Sequence, residues 1–180
     1  MKKLSYKVAL GGVTASLCLL LMFLTAVFPL LALAIPIYAG AMLIIVAIEI
    51  NSGWALLTYG AVAALCMFMT PDKEATILFI LFFGYYPVVR RMIEEKIKCF
   101  PIKWLIKLLI FNAALIASYY LIINVFGVYN LIDEFGFLGD HLILKLIGFA
   151  DIVFIMYDYT LVLLEAAYVK WFRPTYLRKK

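Results

Sequence analysis

Long apolar runs broken by short charged or turn-forming stretches give the chain its pattern. Residues 8–28 carry no charge, residues 30–48 continue to Glu49, and residues 54–69 follow the turn Glu49-Ile50-Asn51-Ser52-Gly53. Further predominantly apolar runs cover 75–89, 105–126 and 145–170. A hydrocarbon core of about 30 Å needs roughly 20 apolar residues per helical span. The fourth run, at about 1.5 Å per residue, reaches only about 22 Å and must draw on its flanks or on local thinning of the bilayer. The period-two alternation of a membrane barrel is absent. The pattern predicts an all-α polytopic membrane protein: one integral membrane domain over residues 1–180, folded as a six-transmembrane-helix bundle.

Composition strengthens that picture. Of the 180 residues, 67% are hydrophobic and 15% charged, and the mean hydropathy is +1.07. Such values lie far outside the soluble range and leave no room for a separate water-soluble domain. The basic start, Lys2, Lys3 and Lys7, before an apolar run also fits a secretory signal cleaved near Ala32 or Ala34. Against this, the run is long for a signal and a second membrane segment begins immediately after Pro29.

Charge gives an orientation. With six spans and the N-terminus inside, the inner segments hold 14 of the 16 basic residues, and only Lys73 and Lys145 fall outside. The positive-inside rule then places the N-terminus and the C-terminus in the cytoplasm, and Trp54, Trp104 and Trp171 fall at inner boundaries where indoles favour the headgroup level. The basic segment from Arg90 to Lys107 could bind a nucleotide or a lipid headgroup, but it also serves simply as the cytoplasmic loop. Cys18, Cys66 and Cys99 lack ligand spacing, and His141 is the sole histidine, on the outer side. No disulfide framework, metal site or cofactor motif is indicated, and no nucleic-acid partner.

Local features refine the spans. Pro36 within the second run predicts a mid-membrane bend. Thr70-Pro71-Asp72-Lys73-Glu74 reads as a loop entering a helix, with Pro and acids where a first turn favours them. Gly84-Tyr85-Tyr86-Pro87 lies near the end of the fourth span. In the first helix, Gly11 with Ala15 and Gly12 with Ser16 flatten a face for close approach of another helix, in the first instance one of the same chain.

The candidate chemistry lies on the last helix, where Asp151, Asp158 and Glu165 recur every seventh residue. Seven residues rise about 10.5 Å and keep one face, giving a stripe Leu144, Gly148, Asp151, Ile155, Asp158, Val162, Glu165. With Trp171 at the inner boundary, Glu165 lies roughly 9 Å deep, Asp158 roughly 20 Å and Asp151 roughly 30 Å, at the outer boundary. Asp158 should therefore face the bundle or a wet cavity. Ser118, Tyr119 and Pro36 fall near its level.

Three uses of the stripe compete. A structural one pairs Glu165 with Lys107 or Asn112, while Asp158 donates to a carbonyl or tyrosine. A ligand-binding one sets Asp158 and Asp151 at the floor and rim of an outward pocket. A proton-coupled or catalytic one has least behind it: acids about 10 Å apart on one helix cannot share a proton, and neither a Gly-x-Gly-Asp partner nor His-Glu-x-x-His is present. An enzyme is not expected.

Six short-looped helices with both ends inside, opening on Lys7-Val-Ala-Leu-Gly-Gly-Val-Thr-Ala15, resemble the membrane-embedded S component of energy-coupling factor transporters. The resemblance covers the whole chain as a matter of layout. It implies a substrate-binding subunit that captures a vitamin-like molecule or ion from outside, with a transmembrane coupling subunit and ATPases as partners. It also implies Gly11 and Ala15 as the docking face, and a site drawing on Asp72, Lys73, Glu74, Asp151 and Asp158, beside which Tyr119 is the level match. The alternative is a non-transporting assembly protein of similar topology, such as the rod-shape-determining membrane proteins or uncharacterised bacterial relatives. Either belongs in a cell membrane, and the small-residue helices point to a bacterial cytoplasmic one.

Overall fold

The computed structural model describes residues 4–126 and 142–177. The predicted loop 131–141, including His141, lies outside them. The described residues are helical almost throughout, with no strand among them. Five helical segments are long and apolar enough to cross a membrane: Leu4–Leu24, Ser52–Met69, Lys73–Lys96, Phe100–Leu121 and Ile147–Pro174. The second apolar run forms a shorter helix, Ala34–Glu49. This is a multi-pass membrane protein by the length and composition of its helices. The helices group into two compact units, Met1–Lys103 and Trp104–Lys180.

The first unit contains α1 (Leu4–Leu24), α2 (Ala34–Glu49), α3 (Ser52–Met69), α4 (Lys73–Leu78) and α5 (Tyr86–Lys96). The first helix stops four residues short of its apolar run, and the chain passes through a turn and a single 3-10 turn, Pro29–Leu31, before α2. Pro36 is consequently the third residue of α2, not a mid-helix residue. In a first turn the missing proline N–H leaves no bond unmade, so the predicted bend has no cause there. Asn51 caps α3 by accepting from the Trp54 amide at 2.8 Å, and Asp72 caps α4 by accepting from the Ala75 amide at 3.0 Å. Lys73 folds back onto the carbonyls of Met67 and Thr70, each at 2.9 Å, satisfying the end of α3.

The predicted short fourth span is longer than its apolar run. Helix α4 continues through a π-helical turn, Phe79–Phe83, into α5, so that the membrane-length segment is Lys73–Lys96. The wide turn is closed by the Gly84 amide donating to the Phe79 carbonyl at 2.8 Å. The Tyr59 hydroxyl of α3 donates to the Ile80 carbonyl at 2.5 Å. A Cβ on Gly40 of α2 would lie 1.9 Å from the Phe83 carbonyl oxygen. Only glycine lets α2 approach that turn so closely. Between the helices sits an apolar core of Cys18, Met22, Leu43, Val46, Val62 and Phe79, all fully buried. The Cys18 thiol donates to the Ala39 carbonyl at 3.2 Å.

The second unit is a helix pair: α6 (Phe100–Phe126), from Trp104 onward, and α7 (Leu142–Ala167), with a π-helical continuation, Tyr168–Leu177. Cross-pairs fix the direction: residue 107 meets 158, 111 meets 154 and 112 meets 151. Rising numbers on one helix against falling numbers on the other make the pair antiparallel.

Candidate functional site

Among the described residues buried charge occurs in both units, Glu49 and Arg90 in the first and Lys107 and Asp158 in the second, where the acids singled out by the sequence lie on the facing sides of α6 and α7. Along α7 the buried residues are Phe154, Tyr157, Asp158 and Leu161, with Asp151 and Glu165 half-buried. The facing stripe is therefore 151, 154, 158, 161, 165, a three-four alternation that keeps one helix seam turned inward. The acids keep the predicted heptad, but the apolar members do not. Ile155 is 46% exposed and Val162 41%, whereas Phe154 and Leu161 are at 1% and 0%. On α6 the matching buried positions are Lys107, Ala114 and Ser118.

Asp158 accepts a hydrogen bond from the Lys107 ammonium at 2.9 Å, and both side chains are almost wholly buried. Lys107 also lies over the Trp104 ring, 5.2 Å from its centroid, one helical turn away. One turn further along the seam, Phe111 stacks on Phe154 with centroids 4.6 Å apart and rings inclined by 12°. Beyond it the Asn112 amide donates at 3.0 Å to Asp151 and at 3.1 Å to the Leu108 carbonyl of its own helix. The order is ion pair, aromatic stack, amide–carboxylate bond.

The cations and amides expected near Glu165 are thus engaged by the acids one and two heptads earlier. The register is set by the 107–158 and 112–151 pairs, which depth measured from Trp171 did not anticipate. Asp158 accepts from a lysine rather than donating to a carbonyl or tyrosine. Tyr119, predicted near the level of Asp158, is on α6 three turns beyond Lys107 and is 41% exposed. The sequence signal for the true register was Phe111 and Phe154, aromatics four residues from Lys107 and Asp158 respectively.

The other predicted positions belong to the first unit. Asp72 and Lys73 make the capping contacts described above, and Glu74 lies in the first turn of α4, where a carboxylate suits the helix dipole. Gly11 is buried, and a Cβ there would meet the Thr58 hydroxyl at 3.2 Å, so this face of α1 packs on α3. Ala15 is half-buried against the same core. Among the described residues, no three His, Cys, Asp or Glu side chains are grouped to hold a metal ion.

A carboxylate and an ammonium buried together can serve two ends. They can fasten two helices where an unpaired charge would be costly, or they can exchange partners when a charged solute arrives. Comparison with protein-family models, curated proteins and solved structures returns no match.

Proposed function

We propose that this chain is a non-catalytic membrane-embedded subunit of a cell-envelope assembly, inserted in a bacterial cytoplasmic membrane with both termini inside. The observation that carries this reading is the pairing of Asp158 with Lys107 and Asp151 with Asn112 across α6 and α7. Two of the three acids of the stripe, the strongest sequence candidate for a ligand site, bridge two helices, which supports a protein that acts through its surfaces.

The energy-coupling factor reading stands second. It is favoured by the position of the ion pair within spanning segments of both helices, since ionisable groups inside a membrane are often found on solute paths. In that reading Lys107 and Asp158 would open to admit a charged ligand.

Affinity capture in mild detergent, followed by mass spectrometry of co-purifying proteins and small molecules, separates the two. Envelope-assembly proteins without a retained small molecule are expected. Recovery of an ATPase pair with a transmembrane coupling protein, together with a vitamin-sized molecule lost in Asp158→Asn, would establish the second reading instead.

A further inference from the structure

A groove of about 280 Å³ runs between α1 and α3 in the first unit, walled by Val8, Gly11, Gly12, Ala15, Leu57 and Ala61. Its walls are apolar, and the hydroxyl of Thr58, which also lines it, donates within its own helix to the Trp54 carbonyl at 2.9 Å. Gly12 leaves the floor open, with nothing within 4 Å of where its Cβ would be. At one end stand Lys7 and Trp54, the ammonium 5.9 Å from the indole centroid. Lysine and tryptophan together are the residues that favour the headgroup level of a bilayer.

We propose that this groove is a binding site for one anionic phospholipid, an acyl chain lying along Gly12 and Ala15 with the phosphate beside Lys7. Two features select that occupant. From Lys7 to Ala15 the groove is about 12 Å long, and a helix segment of that length, about 10 Å across, occupies roughly 900 Å³. The groove holds less than a third of that, which suits a single chain. Among the described residues that line it, the only charge is positive and sits at the mouth, complementary to a phosphate and indifferent to a neutral helix. An apolar channel closed by one cation is the shape of a lipid, with its two chemistries in that order.

The test offers delipidated full-length protein an equimolar mixture of phosphatidylglycerol and phosphatidylcholine with identical chains and counts retained lipid by native mass spectrometry. One phosphatidylglycerol is expected to be held about fivefold over phosphatidylcholine, the scale of one basic residue at an anionic surface. Lys7→Gln should bring the two lipids close to parity. Gly12→Leu and Ala61→Leu, both projecting into the groove from surface positions, should abolish retention while the protein stays monodisperse. Equal retention of both lipids by the unmodified protein overturns the proposal, as does undiminished phosphatidylglycerol in both filled variants. Conversion of a dimer to a monomer by those variants, with lipid retention unchanged, identifies the occupant as a second copy and overturns it equally.

Discussion

The two units solve the same problem by different means. In the first, four helical segments bury Cys18, Met22, Leu43, Val62 and Phe79; Gly40 brings the α2 backbone onto the Phe83 carbonyl, and Gly84 leaves room for the Tyr59 ring. In the second, α6 and α7 meet along one seam, which carries an ion pair, an aromatic stack and an amide–carboxylate bond. Lipid tails are as apolar as leucine, so burial alone gives membrane helices little reason to associate. The multi-helix cluster gains close contact from small residues and also buries charge, at Glu49 and Arg90. The single helix pair has fewer neighbours and leans on the polar bonds of its seam, which lipid cannot replace.

The sharpest test of that contrast is to break the ion pair. Lys107→Met or Asp158→Leu alone leaves a buried charge unpaired and should cost about 3–5 kcal/mol, whereas the double variant should recover most of the loss. Thermal unfolding in mild detergent reads both. If the single variants are neutral, the second unit does not depend on its polar seam and the contrast fails.

In the first unit the corresponding break is steric. Gly40→Ala forces α2 away from the Phe83 carbonyl and should cost about 1–3 kcal/mol, visible in the same unfolding assay. The seam's second polar bond is smaller in effect. Asn112→Leu should cost about 1 kcal/mol, the measured range for hydrogen bonds between membrane helices, again by thermal unfolding. Tyr59→Phe, which removes the hydroxyl from the Ile80 carbonyl, should cost about 1 kcal/mol. Its amide exchange should quicken around residues 79–84, where the π turn loses its lateral support. At the far end of the scale, Gly12→Ala meets open space and should change stability by less than about 0.5 kcal/mol. A larger loss there would mean that the α1 face is packed rather than open.

Much of this was legible from residue order. The apolar runs gave the helical class and the approximate location of each helix, because removal from water depends on composition summed over a segment. Local chemistry was equally readable. Asp72 caps the helix it was predicted to begin, since capping needs only residues three positions apart. The heptad of acids on α7 also followed from spacing alone.

What tertiary structure decided was phase and partnership. Sequence spacing is equally compatible with Ile155 and Val162 or with Phe154 and Leu161 beside the acids; packing buries the second set. In a soluble helix, polar residues mark the outward face and settle such a choice, but a lipid-facing surface is as apolar as a core. Register was hidden for the same reason. Lys107 had candidate acids at seven-residue intervals, and only the two helices laid side by side, with Phe111 on Phe154, select Asp158. The sequence alone placed the carboxylates on one face of the last helix; the fold determined that Asp158 meets Lys107 and Asp151 meets Asn112.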